Sequence, residues 1–231
     1  MITIRKSDER GHIEMGWLNT YHTFSFSDYH DEHWMHFRML RVMNEDRIAP
    51  NQGFGMHPHR DMEIITYVLS GEIQHTDSMG NFGIIKAGDV QRMSAGMGIF
   101  HSEVNPSDKE LYLYQIWIFP KEKNVTPTYE QKRFEDSEKK NQLRLIASTD
   151  GTEGSVTIGQ DAKVFAAMPQ KGMTLTYPIT EGRGMWLQTI SGALSVNTIS
   201  LGAGDAVAVE DEKELIITAD EDSHFLLFDL G

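Results

Sequence analysis

Short apolar runs broken by turn-forming residues set the pattern of this chain. Ile64-Ile65-Thr66-Tyr67-Val68-Leu69 ends at Ser70-Gly71, and Leu111-Tyr112-Leu113-Tyr114-Gln115-Ile116-Trp117-Ile118-Phe119 ends at Pro120. Runs of this length, rich in β-branched and aromatic residues, predict strands. Long stretches of helical periodicity are hard to find, so the expected class is all-β, a sandwich or barrel. Thr23-Phe24-Ser25-Phe26-Ser27 alternates with period two and predicts one more strand, with both phenylalanines packed inward.

A weak internal repeat overlies this pattern. Leu69-Ser70-Gly71-Glu72-Ile73 is echoed by Ile190-Ser191-Gly192-Ala193-Leu194, and Ala87-Gly88-Asp89 by Ala203-Gly204-Asp205. The offsets, 121 and 116 positions, are similar and keep the same order, which favours a duplication. The charged segment from Lys121 to Asn141 contains Pro127 and reads as the crossover, with room for a short helix. The expected organisation is therefore 1–120, a crossover at 121–141, and 142–231.

Candidate chemistry lies in the first half. His57-Pro58-His59 and His101-Ser102-Glu103 stand 44 positions apart. Each places two metal-capable side chains at i and i+2, which on a strand share a face. Two such strands side by side aim three imidazoles and one carboxylate at one point. That donor set suits a borderline divalent ion: Fe, Mn, Ni, Co, Cu or Zn. Glu63 competes with Glu103 for the carboxylate role, because it keeps the parity of His57 and His59 if the strand stays extended. A bend at Arg60-Asp61 removes that parity, so Glu103 is preferred and Glu63 is read as an acidic neighbour. Counting from the repeated glycines places Pro178 opposite His57 and Ile217 opposite His101, so only the first half is expected to hold metal. His30, His33 and His36 lie in a polar stretch read as a loop, and His12, His22 and His224 join no constellation. His75 follows a strand and is read as exposed or hydrogen-bonded, with a place near the pocket left open. Met93, Met97 and Phe100 are candidates for an apolar pocket wall or for the core.

Composition narrows the function. The 231 residues carry a formal net charge of −13, which disfavours direct binding to nucleic acid or to an anionic membrane. No cysteine is present, so thiolate catalysis, disulfides, iron–sulfur clusters and cysteine-type zinc sites are excluded. The first ten residues are charged and lack the apolar run of a signal peptide, and no stretch has the roughly 20 apolar residues of a membrane span. A cytoplasmic protein is expected.

Several segments together resemble the pirin family, a branch of the cupin superfamily, over essentially the whole chain. They are Gly16-Trp17-Leu18, Thr23-Phe24-Ser25-Phe26, Leu40-Arg41-Val42, the run from Gly53 to Glu63, Asp77-Ser78-Met79-Gly80-Asn81, the run from Met93 to Glu103, and Gln115-Ile116-Trp117-Ile118. Within the family the chain is similar to bacterial pirin-like quercetinases. The resemblance implies a bicupin: two antiparallel β-barrel, jelly-roll-like domains facing each other, with metal only in the first. It implies His57, His59, His101 and Glu103 as ligands, usually of iron(II). Ordinary cupins take the carboxylate from the Glu63 position, and carry proline where Gly96 stands here. The activity implied is that of a quercetin (flavonol) 2,3-dioxygenase, which opens the heterocycle with O₂ and releases carbon monoxide, with Glu103 also able to accept a proton. The other role implied is an iron-dependent redox-sensing regulator that binds a protein partner such as a transcription factor.

Overall fold

The computed structural model describes residues 1–231 as two compact units. One comprises residues 11–133 and 156–160; the other comprises 1–10, 134–155 and 161–231. In chain order the strands are β1 Ile2–Arg5, β2 Gly11–Glu14, β3 Leu18–His22, β4 Leu40–Ile48, β5 Gly53–His59, β6 Glu63–Ser70, β7 Glu72–Asp77, β8 Phe82–Lys86, β9 Asp89–Ser94, β10 Ile99–Val104, β11 Leu111–Ile118 and β12 Thr128–Arg133. Then follow β13 Arg144–Ser148, β14 Val156–Thr157, β15 Ala162–Ala167, β16 Thr174–Pro178, β17 Gly184–Ser191, β18 Leu194–Val196, β19 Ile199–Leu201, β20 Ala206–Val209, β21 Glu214–Ala219 and β22 His224–Leu230.

The first unit holds a large antiparallel sheet, β12-β9-β6-β11-β4-β3-β2, and a small one, β5-β10-β7-β8. The second repeats the plan with β1-β20-β17-β22-β15-β13 and β16-β21-β18-β19. Each unit is thus the jelly-roll-like domain expected from the sequence, built of two separate sheets that do not close into one barrel. The strands predicted at residues 64–69 and 111–119 are present as β6 and β11, and the helix of the crossover is the single turn Asp136–Lys139. The crossover also contains β12, which pairs with β9. The alternating run at 23–27 is not a strand. β3 ends at His22, and only an isolated bridge links Phe26 to Tyr29. Phe24 is nevertheless fully buried.

Strand register makes the duplication explicit. His101 pairs with His57 and with Asp77 in the first unit, and Ile217 pairs with Leu175 and with Val196 in the second. Glu103 faces His75, and Ala219 faces Leu194. The strand paired with β21 is β16, Thr174–Pro178, which contains no histidine or carboxylate. Leu194, Val196, Ile217 and Ala219 are buried in the apolar core of the second unit, and Leu175 packs against it. Where the first unit has convergent polar groups, the second has hydrocarbon.

Candidate metal centre

β5 and β10 bring the two motifs together, and a break in their ladder aims them. His101 pairs with His57, whereas Glu103 pairs with Phe54. Two steps along β10 match three along β5, so β5 bulges at Gly55-Met56. The bulge turns Phe54 and His57 into one cavity despite their odd spacing. Pro58 lacks an N–H, and β5 is an edge strand, where that loss is tolerated. Gly53 is required by close approach: a Cβ there would collide with the Glu103 carbonyl oxygen and the Val104 Cα.

Potential donor atoms of His57, His59 and His101 all lie within 4.8 Å of one another. Their ring centroids are 4.4 to 4.9 Å apart. A second cluster within the same limit joins His101 to Glu103 and His75. The three imidazoles therefore converge, while Glu103 meets His101 in the second cluster, which His75 enters from inside the protein: it is fully buried. Glu63 does not converge. β5 stops at His59, and Asp61 adopts a left-handed conformation with φ of 49° before β6 begins. The parity is lost, and Glu63 instead accepts a hydrogen bond from Ser94 Oγ at 2.6 Å. Met97 and Phe100 are more than half exposed and Met93 is in the core, so none of the three lines the cavity. His30, His33 and His36 are exposed, as expected of a loop.

Two of the imidazoles are held neutral. Burial, together with the neighbouring His101 and His57, lowers His59 to about 4. Burial, with His57 and His75 nearby, lowers His101 to about 3. His57 Nδ1 lies 2.7 Å from the Gly55 carbonyl oxygen, to which it donates, leaving Nε2 free. His101 Nδ1 lies 3.4 Å from His75 Nδ1, and His75 Nε2 lies 3.1 Å from Asp77 Oδ2. Burial works against the Asp77 charge, but hydrogen bonds from Asn81, His75 and Met79 outweigh it and lower its pKa. Asp77 therefore accepts, His75 Nε2–H donates to it, and His75 Nδ1 accepts from His101 Nδ1–H. That tautomer leaves a lone pair on His101 Nε2, a buried atom with no partner. An orphaned imidazole nitrogen beside two further imidazoles fits a metal ion. Glu103 is 3% exposed, and its carboxylate accepts from Gln115 Nε2 at 2.8 Å and Thr66 Oγ1 at 3.2 Å.

The cavity beside these groups has a volume of about 310 Å³, at the small end for ligand sites. Trp17, Phe26, Phe54 and Trp117 supply aromatic walls, and Trp117 packs edge-on against both His59 and Phe26. His22, Asn44, Asp46 and Gln115 also line it. From sequence, His22 joins no constellation, Gln115 stands only within a segment shared with the family, and Asn44 and Asp46 are not singled out. Their spacing along the chain carries no signal, because only cross-strand register brings them together.

Two duplicated jelly-roll units, one with convergent imidazoles and one filled with hydrocarbon, define a bicupin. The chain belongs to the pirin family: the Pirin model matches residues 3–118, and the quercetinase C-terminal cupin domain model matches residues 145–230. It is 47% identical to quercetin 2,3-dioxygenase of Escherichia coli strain K12, covering 100% of this chain and 99% of that protein. It is 41% identical to a pirin-like protein of Caulobacter vibrioides, covering 99% of each. The crystal structure of the bacterial pirin YhhW of Escherichia coli in complex with nickel(II) superposes with a TM-score of 0.95 at 46% identity, covering 100% of this chain and 99% of that one. No helix here is long and apolar enough to cross a membrane.

Proposed function

We propose that this protein is a metal-dependent dioxygenase that opens the heterocycle of a flavonol with O₂ and releases carbon monoxide. His57, His59, His101 and Glu103 are the proposed ligands. The observation that carries this reading is the buried, partnerless His101 Nε2 set among the imidazoles of His57 and His59 beside an aromatic slot. Three neutral nitrogens and one carboxylate oxygen suit Fe(II), with Mn, Ni, Co, Cu or Zn able to take the same set. The ion supplies a Lewis acid that lowers the pKa of the flavonol 3-hydroxyl and, as iron, redox chemistry toward dioxygen. The protein does the rest. Trp17, Phe26, Phe54 and Trp117 clamp a flat ring system and exclude water. Glu103 takes the 3-hydroxyl proton while Gln115 and Thr66 hold its carboxylate in place. The relatives that bear the name quercetin 2,3-dioxygenase support the substrate class.

The test is oxygen uptake with quercetin after loading each metal in turn. Uptake proportional to bound metal, absent in the His101→Ala protein, supports the proposal. Absence of uptake with every metal rejects it.

One observation favours a second role, a redox-sensing regulator with a protein partner. Met56, Phe100 and Phe82 are 58%, 54% and 66% exposed, on strands β5, β10 and β8 of the sheet that carries the metal-site histidines. An apolar surface on that sheet suits docking of a partner. A protein captured with Fe(II) and released with Fe(III) supports this role, and equal capture in both states rejects it.

A further inference from the structure

Across the large sheet of the first unit, directly paired residues form one polar row. His22 pairs with Asn44, Asn44 with Gln115, Gln115 with Thr66, and Thr66 with Gln91. Directly opposed residues of antiparallel strands share a face. Four of the five are buried, and the middle pair, Thr66 and Gln115, holds Glu103. The His22 end has no such client. His22 Nδ1 and Asn44 Oδ1 are buried without a hydrogen-bond partner, although both residues line the cavity. Trp117 Nε1, on the same cavity, is also buried and unpartnered.

The second unit serves as an internal control. The same five positions of its large sheet hold Leu145, Phe165, Leu227, Leu187 and Val207, joined by the same chain of pairings. The fold is therefore built equally well on an apolar row. Burying unpaired polar groups costs about 1–3 kcal/mol each, so a row that keeps them here serves something other than folding.

Asp46 adds to this end of the row. It lies two residues along β4 from Asn44, is 4% exposed and lines the cavity. Burial, opposed by Thr20 and reinforced by the charges of Glu103 and Glu45, pushes its carboxyl up to about 7. A carboxyl that retains its proton donates as well as accepts. No lysine or arginine lines the cavity, so an acidic group on a ligand finds no counter-charge. The available groups are a carbonyl acceptor, an imidazole nitrogen, an indole donor and a carboxylic acid. A neutral hydroxyl, which both donates and accepts, matches them.

We infer that His22, Asn44 and Asp46 form a hydroxyl-recognition site that selects uncharged aromatic ligands bearing hydroxyls beyond the one that reaches the metal. This rests on the proposed flavonol reading of the same cavity and deepens it. Asn44 and Asp46 are specificity residues in this scheme, separate from the proposed metal ligands.

Anaerobic titration of the nickel-loaded protein tests it with two probes: quercetin, and 3-hydroxyflavone, which lacks the additional hydroxyls. Asn44→Leu is the main variant, because Phe165 at the equivalent place shows that the fold accepts an apolar residue there. Asp46→Asn is the second, keeping shape while altering the donor pattern; melting temperatures no lower than that of wild type establish that both fold. Loss of a neutral hydrogen bond predicts that Asn44→Leu binds quercetin about five- to tenfold more weakly, and 3-hydroxyflavone within about twofold of wild type. Equal effects on both probes, or no effect on quercetin in either variant, overturn the inference alone. If the wild type binds neither probe, the flavonol reading falls and takes the inference with it.

Discussion

Replacing His75 with phenylalanine isolates the contribution of a residue that is held apart from the proposed ligands. His75 bridges Asp77 Oδ2 at 3.1 Å and His101 Nδ1 at 3.4 Å. Phenylalanine fills similar space and keeps the packing against Tyr129, whose ring centroid is 4.9 Å away. Asp77 loses one donor but retains Met79 N at 2.9 Å, Asn81 N at 3.0 Å and Asn81 Nδ2 at 2.9 Å. The group left exposed to the loss is His101 Nδ1–H, now buried with nothing to accept it. Its orphaning costs about 1–3 kcal/mol, and the ring is no longer fixed with Nε2 toward the other imidazoles. Removal of such a supporting hydrogen bond typically weakens metal binding about 10–100-fold. Competition against a chromophoric chelator at neutral pH reads this directly, with the melting temperature as the check on folding. His75→Gln, able to donate to Asp77 and accept from His101, restores part of the affinity. Affinity within about twofold of wild type for His75→Phe refutes the orienting role. Loss as complete as in His101→Ala shows instead that His75 is itself a ligand, as the second cluster permits.

Three further substitutions probe the rest of the account. Gln115→Leu removes the 2.8 Å hydrogen bond to Glu103 and lowers kcat for flavonol oxidation about tenfold, with melting temperature little changed, measured by oxygen uptake. Gly53→Ala forces β5 away from β10; steady-state melting and chelator competition show destabilisation of about 2 kcal/mol together with weaker metal binding. Asp46→Asn separates the two proteins by pH. The Asp46 carboxyl is raised to about 7 in the fold, so the stability it contributes is present in acid and is lost as pH rises from about 4 through 7. The wild type loses at most about 4 kcal/mol over that window, and the variant is spared the loss, so their melting temperatures diverge upward in pH.

Much of this architecture is legible in the chain because the relevant signals are local. β6 and β11 are read from apolar runs, and the paired motifs from the i, i+2 rule, since each motif lies on one extended strand. The preference for Glu103 over Glu63 rests on a bend at Arg60-Asp61, which is present as a left-handed Asp61. What escapes is whatever depends on register. The row from His22 to Gln91 joins five strands that are far apart in sequence, and no spacing rule connects them. His75 has an orienting geometry only because β7 lies beside β10. The run at 23–27 has the alternation of a strand, but β3 ends at His22 and the following residues turn instead toward the cavity, where Phe26 meets Trp117. The bulge at Gly55-Met56 is likewise a property of pairing. It explains how Phe54 and His57 share a cavity.

The most direct test of the central claim is carbon monoxide release measured against quercetin consumed, using protein of known iron content. The account predicts equimolar O₂ uptake, quercetin loss and carbon monoxide release, all proportional to iron and all absent in His101→Ala. Quercetin loss without carbon monoxide, or at the same rate in metal-free protein, contradicts it.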